Sequence, residues 1–305
     1  MPRPQRVHVY RNAVSDSLRW DAFTVRPGDV IVATAPKCGT TWTQKLCAML
    51  VEGSPILPRP LAAHSPWLEQ IGPLLYPMIA ELDARPGRRV LKTHVPLDGL
   101  PFHEAARYVI CGRDPRDAFL SMMDHLANTS PASWAETDRR MGRPPGPPPP
   151  TPDPNAVFPR WASEGQYEWQ LDGAQFQSVF SAMETWWRHR DLPNLHFLHY
   201  RDLSQDLAGE ARRLADFLGV TIDEALWPSI LEAGGFEAMQ ADADRNAPGD
   251  DAGRWRSNRD FFRAARIDQW RKVLSPENQA LYETLSRARF DPALKAWLER
   301  GRAAL

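Results

Sequence analysis

The 305-residue sequence is poor in cysteine, in net charge and in long apolar runs, and each shortage excludes a class of protein. Its 3 cysteines cannot form a disulfide framework, and no Cys/His cluster has the spacing of a zinc site. The 37 basic and 38 acidic residues nearly cancel, so the chain lacks the positive charge expected of a nucleic-acid-binding protein. No run of about 18 apolar residues occurs, and no membrane-spanning helix is therefore predicted.

The sequence also predicts where the protein is located and how many domains it has. Residues 1–10 lack the apolar core of a secretory signal, and the few cysteines suit a reducing compartment, so a cytoplasmic protein is expected. We expect a single domain over residues 1–305, with a mobile proline-rich insertion near 141–160. Nine prolines fall between Arg143 and Pro159, a density that predicts a loop rather than a helix or a central strand.

Short apolar runs alternate with helical patterns along the chain. The runs that predict strands are Val30–Ala35, Arg89–His94, Tyr108–Cys111 and His196–Tyr200. The patterns that predict helices begin at Thr40 and cover Asp117–His125, Met183–Arg190 and Leu203–Leu218. This alternation predicts an α/β fold with a central parallel sheet flanked by helices.

The loop after the first predicted strand has the composition of a phosphate-binding loop. Gly39 lets the backbone approach a ligand, Thr40 and Thr41 offer hydroxyls, Lys37 offers charge, and Trp42 offers an aromatic face. It is not a Walker A loop, because in that motif the lysine follows the last glycine. Lysine is scarce, at five of the 37 basic residues, and the chain still places one here.

Cys38 in this loop allows two interpretations. A thiol at a helix N-terminus beside Lys37 would have a lowered pKa and raised reactivity. Alternatively, Cys38 replaces a serine and acts only through its backbone N–H, which is the interpretation we favour.

The sequence resembles the cytosolic-type sulfotransferases, which use 3′-phosphoadenosine 5′-phosphosulfate (PAPS). Four segments carry the resemblance in the family's order: Pro36–Trp42 (PKCGTTW), Lys92–Pro96 (KTHVP), Arg113–Asp117 (RDPRD) with Ser121, and His199–Asp202 (HYRD). They are similar to the family's P-K-S-G-T-T-W, K-T-H-x-P, R-[ND]-P-[KR]-D…S and Y-E-D motifs. Further segments, such as Ser65–Leu68 and Pro96–Leu100, are similar to segments of mycobacterial glycolipid sulfotransferases.

The resemblance implies a role for each matching segment. The loop with Lys37, Cys38, Gly39, Thr40, Thr41 and Trp42 would bind the 5′-phosphosulfate. Arg113 and Ser121 would bind the 3′-phosphate. Tyr200, with Phe236 and Met239, would lie near the adenine.

The catalytic residues that the resemblance implies are His94, Lys92 and Lys37. His94 would be the general base, since imidazole titrates near neutral pH. Lys92 lies two residues before it on a strand, hence on the same side, and would stabilise the sulfuryl oxygens. Lys37 would neutralise the leaving phosphate, and no metal is expected.

One family element is altered near the C-terminus. The family has R-[KR]-G-x-x-G-[DQ]-W there, and this chain has Arg263, Ala264, Ala265, Asp268 and Trp270 at the corresponding positions. Arg263, Ala264 and Ala265 would still contact the 3′-phosphate. A residue other than glycine is strained wherever that loop needs a positive φ. Asp268 would repel a phosphate that it faced.

The expected reaction is transfer of the PAPS sulfuryl group to a hydroxyl of a hydrophobic or glycosylated acceptor, a glycolipid, lipid alcohol or phenol, with 3′-phosphoadenosine 5′-phosphate (PAP) as product. Several tryptophans lie near these segments, namely Trp67, Trp134, Trp161 and Trp169. We expect most of them to lie in the core and some to line an apolar acceptor pocket. His64, His103 and His125 receive no role.

Two alternatives and the oligomeric state stay open. The altered loop favours a non-catalytic PAP- or PAPS-binding homologue, and the phosphate loop allows a P-loop kinase. The family's dimer motif would fall at Arg271–Ala280, where its consensus residues are mostly replaced, so the family dimer is not predicted.

Overall fold

The predicted strands form one parallel sheet. The structure is a computed structural model that describes residues 3–144, 146–174, 177–249, 253–262 and 266–304. Its strands are β1 (Val30–Ala33), β2 (Val90–Thr93), β3 (Arg107–Gly112) and β4 (Leu195–His199). They are all parallel and lie in the order β2-β1-β3-β4. The predicted α/β class is therefore confirmed.

Helices surround the sheet. The α-helices are α1 (Thr40–Glu52), α2 (Leu61–His64), α3 (Leu75–Ala84), α4 (Pro115–Asn128), α5 (Pro131–Arg140), α6 (Pro154–Ser163), α7 (Phe180–Trp187), α8 (Tyr200–Gln205), α9 (Leu207–Leu218), α10 (Trp227–Gly234), α11 (Phe236–Ala241), α12 (Ala243–Asn246), α13 (Asn258–Phe261), α14 (Trp270–Val273), α15 (Pro276–Arg289) and α16 (Pro292–Arg300). Short 3₁₀ segments cover Ser17–Ala22, Leu97–Gly99 and Gly301–Ala304. Within the described ranges, every helix is too short or too polar to cross a bilayer.

The strands are apolar throughout because both faces of the sheet are buried. Ile31 and Tyr108 belong to one core, which packs against α4, α6, α7 and α16. Val32 and Val109 belong to the other core, which packs against α1, α9 and α10. Successive strand residues point to opposite faces, so a strand covered on both sides reads as a continuous apolar run.

The topology brings the four motif segments to one edge. Each segment directly follows or ends a strand, and parallel strands all end at the same edge of the sheet. β1 lies between β2 and β3. The chain therefore runs from β1 to the strand on one side of it, and then crosses to the strand on its other side. A crevice opens at such a switch point, and ligands of open α/β sheets bind there.

The prediction of a loop over Arg143–Pro159 is wrong at its end, because α6 begins at Pro154 and contains Pro159. Proline is tolerated at the first helical position, where its missing N–H costs nothing, and Asp153 caps the helix. Pro159 cannot donate to the Asn155 carbonyl, but Asn278 Nδ2 donates to that oxygen instead, at 3.0 Å. A tertiary hydrogen bond thus compensates for the proline.

The predicted helix over Leu203–Leu218 is two helices, α8 and α9. They meet at Asp206, whose non-helical backbone caps α9. Its carboxylate accepts the Gly209 N–H at 2.8 Å, which satisfies a free donor of the second helix.

Asn278→Ala tests the compensation at Pro159. It leaves the half-buried Asn155 carbonyl without this donor, so we expect a loss of about 1–2 kcal/mol in the free energy of unfolding, measured in urea. Thr284→Ala, on the exposed side of the same helix, is the control and should change stability by less than about 0.5 kcal/mol. Equal stabilities of the two variants would contradict the role of Asn278.

Candidate active site

The loop between β1 and α1 contains a left-handed turn at Gly39. Gly39 is the N-cap of α1 with φ of 94°, and a Cβ there would lie 3.0 Å from the Tyr200 ring. The Thr40 and Thr34 hydroxyls are 2.5 Å apart, which ties the helix start to the end of β1. The first N–H groups of α1 have no acceptor within the helix, so this turn is suited to bind an anion.

Lys37 extends from this loop into a cationic cluster. Its Nζ lies 3.4 Å from His125 Nδ1 and 4.5 Å from the centre of the Phe261 ring. Desolvation, with the nearby charges of Arg113 and Lys92, lowers the pKa of Lys37 to about 7. A bound anion would raise the pKa of Lys37 again and keep its side chain fully charged.

His125, which was assigned no role from the sequence, lies beside Lys37 in the structure. It contacts Lys37, and its ring packs against Trp255 at 4.6 Å between centroids. Desolvation and Lys37 lower its pKa well below the ordinary value, so the ring is neutral beside the lysine. The sequence did contain a signal for this position, because His125 lies four residues after Ser121 and therefore on the same face of α4.

His94 is held by two hydrogen bonds that orient its ring and its backbone. Nδ1 lies 2.9 Å from the Thr34 carbonyl, which can only accept, so Nδ1 carries the proton and Nε2 is the basic nitrogen. The backbone N–H donates to the buried Glu69 carboxylate at 2.7 Å. Desolvation and Lys92 lower the pKa of His94 to about 3, which keeps the free imidazole neutral.

Lys92 and His94 contact the same indole, as expected for residues on one side of a strand. The Lys92 ammonium lies 4.8 Å from the Trp67 ring centre, and the His94 ring meets that indole edge-on at 5.1 Å. The segment before Trp67 pairs with β2 through the Pro66 carbonyl, which accepts the Lys92 N–H at 3.1 Å. Desolvation and the charge of Arg254 lower the pKa of Lys92 to about 8.

Arg113 joins the loop, the C-terminal segment and Tyr200. Its guanidinium donates to the Lys37 carbonyl at 2.9 Å and to the Arg266 carbonyl at 3.1 Å, and it lies 4.2 Å from the centre of the Tyr200 ring. Its buried Nε has no hydrogen-bond partner among the described residues. An unpaired charged donor in the interior is costly, and an anionic ligand would satisfy it.

The side chains expected near the adenine belong to, or pack against, one hydrophobic core. Tyr200 and Trp42 are buried and meet edge-on at 5.5 Å, and the Trp42 indole donates to the Gly234 carbonyl at 2.8 Å. Met239 is buried in the same core, and Phe236 is half-buried, edge-on to Phe262 at 6.5 Å. Their contact with a base stays a prediction.

His94 is one of the residues that line a small cavity of about 30 Å³. Its polar lining includes Tyr10, Glu69, Gln166, Gln170 and Gln177. Of the tryptophans considered for an acceptor pocket, Trp161 is buried in the core against Phe119 and Phe158. The cavity offers hydrogen-bonding groups beside His94.

Comparison with known proteins decides the family. A model of the sulfotransferase domain matches residues 27–292. The chain is 35% identical over 328 aligned residues to a glycolipid sulfotransferase of Mycobacterium bovis, covering 99% of this chain and 96% of the relative. A glycolipid sulfotransferase of Mycobacterium tuberculosis is 34% identical, with the same coverage. This chain belongs to the sulfotransferase family.

Solved structures show the same fold. Mouse sulfotransferase SULT7A1 complexed with PAP superposes with a TM-score of 0.68 at 18% identity, covering 94% of each chain. Retinol dehydratase in a complex with retinol and PAP superposes with a TM-score of 0.67 at 21% identity, covering 90% of this chain and 85% of that chain. The central sheet and its surrounding helices are therefore those of a sulfotransferase.

In this sulfotransferase the reactive-thiol interpretation of Cys38 is wrong. The residue is buried, and desolvation raises the pKa of its thiol to about 12 despite nearby Arg113 and Lys37. Its N–H donates to the Ala35 carbonyl at 3.3 Å, so its backbone takes part in the turn. Across the described ranges, His, Cys, Asp and Glu form no group of three or more that could hold a metal.

The altered C-terminal loop of this sulfotransferase keeps a glycine-like conformation at one position. Arg263, Ala264 and Ala265 lie outside the described residues. Asp268 has φ of 60°, in the left-handed region. Its carboxylate accepts from Arg201 at 2.9 Å, and its N–H donates to the buried Asp117 carboxylate at 2.7 Å. The negative charge of Asp268 is thus paired with Arg201, and Asp117 stabilises the turn by accepting the Asp268 N–H.

Substitutions at Asp268 separate backbone strain from the ion pair. Asp268→Ala and Asp268→Gly both remove the carboxylate, but only alanine keeps a Cβ at positive φ. We expect the alanine variant to be less stable by about 1 kcal/mol in urea unfolding.

Asp216, exposed inside α9, is the matched control site. There the order should reverse, because glycine destabilises a helix interior by about 1 kcal/mol. The same order at both sites would argue against a strained turn at Asp268.

Proposed function

We propose that this sulfotransferase transfers the sulfuryl group of PAPS to a hydroxyl of a glycolipid-like acceptor, with His94 as general base. One observation carries the proposal. A cationic cluster built on Lys37, Lys92 and Arg113 adjoins a neutral histidine, which also lines a polar cavity. A donor with two anionic groups and a hydroxylated acceptor would meet at that histidine.

The residues on the donor side fit PAPS. The unpaired Nε of Arg113 and the left-handed turn at Gly39 are what a phosphate-binding site requires. We assign the 5′-phosphosulfate to the turn with Lys37, and the 3′-phosphate to Arg113 and Ser121. When bound, PAPS supplies the sulfuryl group, and its phosphate is the leaving group.

The proton of the acceptor hydroxyl passes to His94 Nε2. Thr34 holds the ring in the tautomer that leaves this nitrogen basic, and Glu69 fixes the backbone behind it. Lys92 and Lys37 place positive charge where the transferred group gains negative charge, which lowers the barrier by fixed electrostatics. His125 keeps the flexible side chain of Lys37 within the cluster.

The acceptor class rests on similarity and on the cavity together. The mycobacterial relatives bear the name glycolipid sulfotransferase, and they align over nearly the whole chain. The amide and hydroxyl lining beside His94 suits a polar head better than a purely apolar molecule.

Binding of PAP tests the donor site. Wild type should bind PAP in calorimetry, and Arg113→Ala should bind roughly 10- to 100-fold more weakly, because charge-assisted hydrogen bonds are lost. Arg212→Ala removes an exposed arginine paired with Glu224 and should bind like wild type. An Arg113→Ala variant with wild-type affinity would refute the assignment, and a wild type that does not bind PAP would refute the function.

Turnover tests the base. His94→Asn should keep PAP affinity within about threefold but reduce sulfation of octyl β-glucoside by roughly 10²- to 10⁴-fold, followed by mass spectrometry. His103→Asn, at a histidine outside the site, should retain wild-type turnover. PAP binding without turnover by the wild type would instead favour the non-catalytic homologue.

A further inference from the structure

We propose that Arg116 and Asp117 are positioning residues of the donor site. They hold residues 266–270 against the first turn of α4, and that segment in turn fixes the guanidinium of Arg113. The inference rests on the proposed function, which assigns the 3′-phosphate to Arg113. It goes beyond that function because it gives two further residues a role in donor affinity without contact with the donor.

The carboxylate of Asp117 holds the backbone of the segment at two points. Its Oδ2 accepts the Asp268 N–H at 2.7 Å, and its Oδ1 accepts the Trp270 N–H at 3.3 Å. Burial and the charge of Asp114 raise the pKa of Asp117 to about 6, so the group is still a carboxylate above neutral pH. Both oxygens of a carboxylate accept hydrogen bonds, whereas an amide offers one acceptor and one donor. The ionised side chain is therefore matched to two converging N–H groups.

The guanidinium of Arg116 holds the side chain at the end of the segment. It lies 3.5 Å from the centre of the Trp270 ring and 4.2 Å from the centre of the Tyr282 ring. Asp114, the N-cap of α4, accepts from its Nε at 3.0 Å and from a terminal nitrogen at 2.7 Å. A planar guanidinium that is already held in place stacks on an aromatic ring in a way that an ammonium cannot. Trp270 is therefore attached to the start of α4 by its ring as well as by its N–H.

The other end of the segment contacts Arg113. One terminal nitrogen of this arginine donates to the Arg266 carbonyl at 3.1 Å, and the other donates to the Lys37 carbonyl at 2.9 Å. The direction of the guanidinium therefore depends on where these two carbonyl groups lie. Charge-assisted hydrogen bonds to a phosphate need well-aligned donors. A displacement of residues 266–270 would thus weaken binding of the 3′-phosphate even though Arg113 itself is intact.

These contacts predict which part of the donor is affected. Residues 266–270 adjoin Arg113, whereas the 5′-phosphosulfate is assigned to the turn at Gly39. That turn is tied to the end of β1 by the Thr40 and Thr34 hydroxyls. Loosening the segment should therefore weaken the contacts of the 3′-phosphate and spare those of the 5′ end.

Two nucleotides that differ only in the 3′-phosphate test the proposal. PAP carries this phosphate, and adenosine 5′-monophosphate (AMP) lacks it. By calorimetry above neutral pH, we expect wild type to bind PAP roughly 10- to 100-fold more tightly than AMP, because only PAP makes charge-assisted hydrogen bonds with Arg113. Asp117→Asn replaces one acceptor by a donor. It should reduce this preference by roughly fivefold or more, with AMP affinity within about twofold of wild type.

Arg116→Lys tests the second contact without removing a buried charge. Lysine keeps a cation beside Asp114 but not the planar group over Trp270. We expect the preference for PAP over AMP to fall by roughly threefold or more, again with little change in AMP affinity. This variant decides the question if Asp117→Asn does not fold.

Asp172→Asn is the matched control. Asp172 is also a buried carboxylate that accepts backbone N–H groups, including those of Val179 and Phe180 at 2.9 Å each, but it lies before α7. Its loss should lower the melting temperature and leave the preference for PAP over AMP unchanged. A merely structural role of Asp117 would give the two variants the same result.

The possible outcomes are distinguishable. A variant of Asp117 or Arg116 that keeps the full preference for PAP, or that loses affinity for both nucleotides equally, overturns the proposal and leaves the proposed function intact. A wild type that binds PAP and AMP equally also overturns it, because Arg113 then gains nothing from being positioned. A wild type that does not bind PAP overturns the proposed function instead.

Discussion

The concentration of positive charge at one edge of the sheet is the constraint around which this fold is organised. Burial lowers the pKa of both lysines, Lys37 and Lys92, and repulsion adds to it, from Arg113 and Lys92 at Lys37 and from Arg254 at Lys92. Such repulsion opposes folding, and nearby carboxylates offset only part of it. It persists because parallel topology delivers three strand ends to one place, and each strand is anchored by a core on both faces. A polyanionic ligand turns that repulsion into affinity.

The altered C-terminal loop shows how a substitution at a glycine position is accommodated. Aspartate tolerates the left-handed region better than most residues, and Arg201 pairs with its carboxylate while Asp117 accepts its N–H. Arg201 belongs to the same segment as Tyr200, so the loop is fastened to the helix that begins at Tyr200. The change from glycine therefore trades backbone freedom for a tertiary ion pair, and the Arg266 carbonyl still reaches Arg113.

The sequence predicted what depends on local pattern and missed what depends on distant partners. Strand positions and the four motif segments could be predicted, because apolar runs and loop composition are local. The helix at Pro154 could not, since its stability involves Asn278, which lies far along the chain. The contact of His125 with Lys37 was missed because it joins residues that lie far apart in the sequence. The polar cavity combines residues from the N-terminal segment and the 165–178 loop, which no linear pattern joins.

His94 couples the two halves of the site electrostatically. In the free protein its pKa is held at about 3 by desolvation and by Lys92, with a further contribution from Lys37. An anion bound to these lysines would offset their part of the shift, so the imidazole would become a stronger base when the donor site is filled. In the proposed mechanism the arrangement thus favours proton removal from an acceptor beside a bound donor, which is the condition that transfer requires.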